Sequence, residues 1–125
     1  MSKINDFQLS KYFNLKEFEC PCCHRVMLSD ELLIQLAILR NDIGVPIIIT
    51  SGFRCDSYNE KVGGVPGSYH KQGMAADVTI QNGKLTELYF LAKELKFTGI
   101  GTYWKRYFLH LDIRPGDLVE WVGDQ

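Results

Sequence analysis

The sequence predicts an α+β fold, with a small, mostly antiparallel sheet and helices packed on one side. The fold class follows from two amphipathic helical patterns, several strand-like segments between and after them, and a globular composition. Apolar residues make up 46% of the 125-residue chain and charged residues 23%, a balance typical of a soluble domain with its own core. Repeats, low-complexity tracts and linkers are absent from the sequence, so we expect residues 1–125 to form a single domain.

The first half of the chain carries the start and stop signals of two helices. Asn14 followed by Glu17 has the pattern of a capping box, which predicts a short helix that ends near the cysteines. Ser29 is a suitable N-cap for a longer helix, and Gly44 and Pro46 would end it. The apolar positions of this helix recur at helical spacing and predict a buried stripe of Leu32, Leu36, Leu39 and Ile43.

The second half predicts strands, a long loop and another helix. Residues 51–73 are rich in glycine and polar residues, and a loop of this length is usually functional or disordered. An amphipathic helix is predicted from Leu85, Leu88, Ala92 and Leu95. The predicted strands are 45–50, 74–80, 97–103 and 107–113, the last two joined by a hairpin turn at 104–106.

Charge and hydropathy exclude several classes of partner. The 14 Lys and Arg residues nearly balance the 15 Asp and Glu residues, so we expect no nucleic acid partner and no anionic membrane partner. No apolar run approaches the roughly 20 residues of a membrane span. The first residues lack the apolar segment of a secretory signal, so we expect cytoplasmic synthesis. No oligomerisation signal is visible, and we expect a monomer.

Four cysteines are present, and three of them lie close together at Cys20, Cys22 and Cys23, followed by His24. Their spacing is not the paired C-x-x-C of a zinc ribbon. Partly buried free thiols are the favoured interpretation. A structural metal, or a disulfide such as one from Cys20 to Cys55, remains the alternative.

Polar residues interrupt two of the predicted strands. Alternation places Asp77 on the face opposite the apolar Met74, Ala76, Val78 and Ile80. In the strand at 107–113, His110 and Asp112 share the face opposite Leu109 and Leu111. Polar side chains that break an apolar pattern in this way are expected at functional sites.

His70 ends the glycine-rich loop and completes a possible ligand set with Asp77 and His110. Two imidazoles and one carboxylate suit catalytic zinc, which keeps its fourth position for water. Bound zinc would lower the pKa of that water towards about 7 and polarise a peptide carbonyl. Each residue also has a structural interpretation: a hydrogen-bonded core histidine for His110, and a cap or an ion pair with Arg54 for Asp77.

The segment around His70 resembles a family motif. Its defining positions fit the pattern S-x-H-x-x-G-x-A-x-D of the zinc D-Ala-D-Ala carboxypeptidases, at Ser68, His70, Gly73, Ala75 and Asp77. That family, with the hedgehog/DD-peptidase fold, also includes D-alanyl-D-alanine dipeptidases, phage L-alanyl-D-glutamate murein endopeptidases and the hedgehog signalling domain. Residues 50–54 resemble its S-G-[YF]-R segment, and residues 108–112 resemble the H-x-D strand of its short, often phage-encoded members.

The resemblance, which runs from about residue 10 to 115, implies roles for individual residues. One zinc ion per chain would be held by His70, Asp77 and His110. Arg54 would hydrogen-bond the substrate carbonyl or carboxylate and help to stabilise the oxyanion, although a structural ion pair is its alternative. Ser68 would be a polar contact near the metal or the substrate.

One position departs from the family pattern. Several members carry an Asp or Glu three residues before the last zinc histidine, where it acts as general base, and here that residue is Tyr107. Asp112 is the nearest replacement, about 6.6 Å beyond His110 along the strand. It could activate the water as a catalytic base, which we slightly favour, or orient a ligand histidine.

The resemblance implies a zinc metallopeptidase that hydrolyses amide bonds in bacterial peptidoglycan peptides by metal-activated water, as a carboxypeptidase or an endopeptidase. A phage endolysin, released by the phage or incorporated into its virion, fits this expectation. The alternative is a catalytically inert, zinc-containing module that binds the cell wall or builds a virion, because the carboxylate at position 107 is missing. A third hypothesis, an interaction module around the Cys20 to His24 cluster, requires metal there and none at His70.

Overall fold

The computed structural model describes residues 4–124. Its helices are a first 3₁₀ helix at Leu15–Phe18, α1 at Asp30–Ile43, α2 at Asp56–Lys61, a second 3₁₀ helix at Tyr69–Gln72, and α3 at Leu85–Glu94. Its strands are β1 at Ile47–Ser51, β2 at Ala75–Ile80, β3 at Gly99–Tyr103, β4 at Phe108–Asp112 and β5 at Val119–Val122. The strands form one sheet in the order β1-β2-β4-β3-β5, in which only the β3–β5 pair is parallel.

The first two helices begin and end near the residues that the sequence indicates. Asn14 and Glu17 form both hydrogen bonds of a capping box at the first 3₁₀ helix. Gly44 ends α1 in the left-handed conformation, with φ of 77°. Ser29 does occupy the N-cap position of α1, but its side chain makes no capping bond. Its backbone N–H instead donates to the carbonyl of Gly73 at 2.8 Å, which ties the start of α1 to the end of the loop at 51–73.

The core lies between one face of the sheet and the helices α1 and α3. The stripe of α1 predicted from the sequence is fully or almost fully buried there, together with alternate residues of the central strands. The sheet contributes Ala76, Val78, Ile80, Ile100, Leu109 and Leu111 to this core. The predicted α+β class, with a mostly antiparallel sheet and helices on one side, is therefore confirmed.

Two parts of the fold were not predicted. The loop at 51–73 contains α2 and the second 3₁₀ helix, which are short, polar and without an apolar stripe. α2 begins after Cys55, whose side chain makes no capping bond, so its start carries no sequence signal. β5 is a mostly exposed edge strand with no clean alternation of apolar residues. Across residues 4–124, every helix is too short or too polar to cross a bilayer.

The close approach of Gly73 to the chain before α1 gives a testable prediction. Gly73 has φ of 69°, and a Cβ there would lie 2.5 Å from the carbonyl oxygen of Met27. Gly83 has the same φ but open space around it, so it is a matched control. We expect Gly83→Ala to lower the free energy of unfolding by about 1 kcal/mol, from backbone strain alone. Gly73→Ala should lower the free energy of unfolding by at least about 2 kcal/mol, measured by urea denaturation, because overlap of the new Cβ with the Met27 carbonyl adds to that strain. Equal losses of stability in the two variants would contradict this prediction.

Candidate metal centre

Two of the predicted ligands lie side by side on neighbouring strands. Asp77 of β2 is the direct register partner of His110 of β4. Both side chains leave the sheet on the face opposite the core, as alternation predicts, yet they are only 8% and 9% exposed. Nδ1 of His110 lies 3.2 Å from Oδ1 of Asp77. Strand pairing therefore holds these two groups together.

The third predicted ligand comes from the loop before β2. Ser68 caps the second 3₁₀ helix, where its Oγ accepts a hydrogen bond from the backbone N–H of His70 at 3.3 Å. This short helix directs the buried His70 ring towards β2, so that its Nε2 lies 3.1 Å from Oδ1 of Asp77. The two imidazole rings are 5.0 Å apart between centroids. The loop thus completes a cluster with the two strand residues.

The three side chains fit a zinc ion by donor type and by proximity. One ligand atom from each of His70, Asp77 and His110 lies within 4.8 Å of the other two. The remaining ring nitrogens already have partners, since Nδ1 of His70 donates to the carbonyl of Gly52 at 2.8 Å and Nε2 of His110 donates to Asp112 at 2.7 Å. Zinc-binding histidines are typically oriented by such second hydrogen bonds. The donor set is that of a catalytic zinc site.

The electrostatics of the cluster keep its carboxylate ionised. Burial raises the pKa of Asp77, but hydrogen bonds and charge interactions with His110 and His70 outweigh it, and the net pKa lies well below its usual range. Burial lowers the pKa of His110, whereas hydrogen bonds to Asp112 and Asp77 raise it, and the net pKa is raised. The two neighbouring carboxylates therefore favour a positive charge at this point.

Asp112 lies behind His110, away from the space in front of the cluster. It is fully buried and accepts hydrogen bonds from Arg114, from Nη2 at 2.6 Å and from Nε at 2.9 Å. Burial raises the pKa of Asp112, but hydrogen bonds with His110 and Arg114 lower it by more. The net pKa lies below its usual range, so the carboxyl stays ionised. A Cβ on Gly99 of β3 would fall 2.2 Å from this carboxylate, so only glycine leaves room for it.

Arg54 reaches the cluster from the loop after β1. Its Nη2 donates to Oδ2 of Asp77 at 3.0 Å, and its Nε donates to Oγ of Ser51 at 3.1 Å. The ion pair that the sequence left open is therefore present. Arg54 also lines the cavity in front of the cluster, so the pairing with Asp77 places its guanidinium beside the three predicted ligands.

The cluster lies at the base of a cavity of about 390 Å³. Arg54 and Ser68 line it, and so does Tyr103, which the sequence offered as an auxiliary hydrogen-bond donor or a rim aromatic. The cavity is also lined by residues that the sequence did not indicate, namely Tyr69, Arg106, Phe108, Arg114 and Trp121. The Trp121 ring lies 5.0 Å from the ring of His110, and it belongs to the strand that was not predicted. No sequence motif identifies these residues. The one available signal was the position of Arg106 in a polar hairpin turn, where a cationic side chain is expected to be exposed.

A second cavity of about 450 Å³ adjoins the first along the sheet. Arg54, Asp77, Arg106 and Phe108 line both cavities. The His70, Asp77 and His110 cluster therefore has open space on two sides.

Comparison with known proteins agrees with this geometry. A family model described as Peptidase M15 matches residues 11–112, which includes the whole cluster. No curated protein matches the chain in sequence. The family match confirms the resemblance to the zinc D-Ala-D-Ala carboxypeptidases, implies a peptidase and supports zinc as the metal at His70, Asp77 and His110. The chain belongs to the Peptidase M15 family.

Proposed function

We propose that this protein is a zinc-dependent peptidase that hydrolyses amide bonds in peptidoglycan peptides, in stem peptides or in cross-links. One observation carries the proposal: three zinc-type donors converge at the base of an open cavity. Structural zinc sites are closed by four protein ligands, whereas catalytic sites have three and an accessible fourth position. Family membership supports the peptidase activity, and the substrate follows from the family resemblance.

The residues around the cavity have separate roles in the proposed reaction. When bound, zinc supplies a Lewis acid that polarises the scissile carbonyl and makes water nucleophilic near neutral pH. Arg54, held beside Asp77, donates hydrogen bonds to the substrate carbonyl oxygen and stabilises the charge that develops on it. Ser68 fixes the loop that carries His70 and offers a polar contact at the cavity wall.

Of the two roles predicted for Asp112, we propose the orienting one. A general base must come within about 3 Å of the water that it deprotonates. Asp112 is fully buried, does not line the cavity, and has its carboxylate engaged by His110 and Arg114. Asp112 accepts the hydrogen bond of Nε2 of His110. The other ring nitrogen, Nδ1, faces Asp77, and its lone pair is then available to bind zinc.

Recognition of an anionic peptide is assigned to Arg106. Among the three arginines that line the main cavity, its side chain is the most exposed, at 63% against 13% for Arg54 and 21% for Arg114. It stacks over the Tyr103 ring, and its contact with Asp124 is long, at 3.9 Å. A carboxylate of a stem peptide would complete a charge-assisted pair there.

Defined muropeptides, analysed by mass spectrometry after digestion, test the proposal. We expect amide cleavage that EDTA abolishes and that added zinc restores, but that magnesium, which prefers oxygen ligands, does not restore. Loss of one terminal residue would identify a carboxypeptidase, and cleavage within a stem or cross-link would identify an endopeptidase. Hydrolysis that persists after complete metal removal would refute the mechanism.

A second candidate function has one specific observation in its favour. Among the described residues that line the main cavity, Asp77 is the only carboxylate, so no second acid faces the metal position. Tyr107, at the position of the usual base, lies in the β3–β4 turn with φ of 64°. An inert zinc-containing module that binds cell walls or builds a virion would fit this. Zymography separates the two functions, since an inert module binds walls without clearing them.

A further inference from the structure

All four cysteines gather at one point, away from the His70 cluster. Cys55 lies 35 positions after Cys20 in the sequence, yet their sulfur atoms are 3.7 Å apart. The sulfur of Cys22 lies 3.3 Å from that of Cys55, and all four sulfur atoms, including that of Cys23, lie within 4.8 Å of one another. A disulfide would require about 2.05 Å, and all four residues are free thiols.

We propose that Cys20, Cys22, Cys23 and Cys55 bind a second zinc ion, which is structural and independent of the His70 site. Zinc bound tetrahedrally to four thiolates at about 2.3 Å places the sulfur atoms about 3.8 Å apart. The separations of 3.7 Å from Cys20 to Cys55 and 3.3 Å from Cys22 to Cys55 are close to that value, and all four sulfur atoms lie within 4.8 Å of one another. Four protein ligands leave no position for water, which is the arrangement of a structural site.

The backbone around Cys20 is folded into a tight turn that faces the sulfur atoms. His24 N–H donates to the Cys20 carbonyl, and Cys20 N–H donates to the Arg25 carbonyl, both at 2.8 Å. His24 closes this turn in the left-handed conformation, with φ of 62°. Its imidazole points to Glu19 and is not a member of the thiol cluster. The segment thus presents three cysteines to one position without the histidine.

Backbone N–H groups form hydrogen bonds with the sulfur atoms of Cys20 and Cys55. Burial raises the pKa of Cys20, but hydrogen bonds from the backbone of Cys55, Cys23 and Cys22 lower it, and the net pKa is lowered. A backbone bond from Tyr58, in the first turn of α2, lowers the pKa of Cys55.

A cationic side chain approaches the thiol cluster. Arg25 contacts the Cys23 sulfur at 3.5 Å, and it is the cation that lowers the pKa of this thiol. The hydrogen bond to Cys55, together with burial, raises the pKa of Cys22 to about 12. When zinc binds, four Zn–S bonds form and the thiol protons pass to solvent.

The position of the cluster indicates what a bound ion would stabilise. Cys55 directly follows Arg54, the residue that contacts Asp77, and it occupies the N-cap position of α2. The backbone N–H of Phe53 donates to the carbonyl of Phe18 at 2.8 Å, so the two chain segments already meet at this point. Zinc at the cysteines would fasten the segment after the first 3₁₀ helix to the loop that carries Arg54.

Metal analysis of purified variants tests the proposal without reference to hydrolysis. We expect about two zinc ions per chain in the wild type, about one in His70→Ala/His110→Ala, and about one in Cys22→Ser/Cys23→Ser. Both serine positions are exposed, so this variant is expected to fold. Equal zinc contents in the wild type and the cysteine variant would overturn the proposal.

Cobalt substitution provides a second measurement on a chain with intact cysteines. Cobalt-loaded His70→Ala/His110→Ala should show an intense near-ultraviolet thiolate-to-cobalt charge-transfer band, and adding Cys22→Ser/Cys23→Ser should abolish it. A spectrum without that band, or a non-reduced mass that shows a disulfide in place of the thiols, would overturn the proposal. Failure here leaves the His70 site and the proposed peptidase activity unaffected, because both are read out separately.

Discussion

Asp77→Asn is expected to remove zinc from the His70 site and to lower kcat/KM by about 10³-fold or more. Oδ1 of Asp77 lies 3.1 Å from His70 and 3.2 Å from His110, so it is the atom that joins the two imidazoles into one site. An amide of the same shape is neutral and a much weaker ligand. It also leaves the Arg54 guanidinium without its anionic partner.

The measurement combines zinc content with muropeptide turnover. It is best made in the Cys22→Ser/Cys23→Ser background, so that any zinc bound by the cysteines does not hide a loss at Asp77. Asp42→Asn, an exposed acid on α1, is the matched control and should leave both quantities unchanged. An Asp77→Asn protein that kept its zinc and turnover within tenfold of the parent would exclude Asp77 as a ligand.

Asp112→Asn is expected to weaken zinc binding by 10- to 100-fold, and saturating zinc should restore most of the activity. The carboxylate accepts the Nε2 proton of His110 and thereby fixes the ring for binding through Nδ1. An asparagine can keep one acceptor there, but it removes the negative charge that raises the basicity of the imidazole and that pairs with Arg114.

The zinc dependence of turnover distinguishes the two roles of Asp112. An orienting residue changes the apparent Kd for zinc, whereas a general base changes kcat at saturating zinc and leaves the Kd alone. If kcat stayed depressed at saturating zinc with an unchanged Kd, the orienting role would be wrong and the base role would stand. Asp117→Asn, an exposed acid five residues further on, should behave like the parent.

Periodicity and caps were enough to predict most of the fold. Leu109 and Leu111 are buried in the core, whereas His110 leaves the opposite face, because a strand alternates its side chains strictly. The helix α1 ends at Gly44 because glycine adopts the left-handed conformation without strain. Such local signals also placed the three candidate ligands on or next to the right strands.

The remaining features depend on contacts between segments that are distant in sequence. A pairing of Cys20 with Cys55 was only an alternative to free thiols in the sequence, and nothing local to Trp121 indicates that it packs beside His110. The shared face of His110 and Asp112 was predicted, but not the Arg114 pairing that engages Asp112. Side-chain rotamers and edge-strand pairing are decided by tertiary packing, on which single-sequence patterns carry little information.

The direct pairing of Asp77 with His110 makes the donor set intolerant of small insertions. One residue added within β4 before His110, with the β2 pairing kept, would exchange the two faces of the strand downstream. The imidazole would then point into the hydrocarbon interior, and a leucine would face the cavity in its place. Length changes are better tolerated in the 104–107 turn, because the hydrogen-bond ladder between β2 and β4 sets the alignment of the donors independently of it.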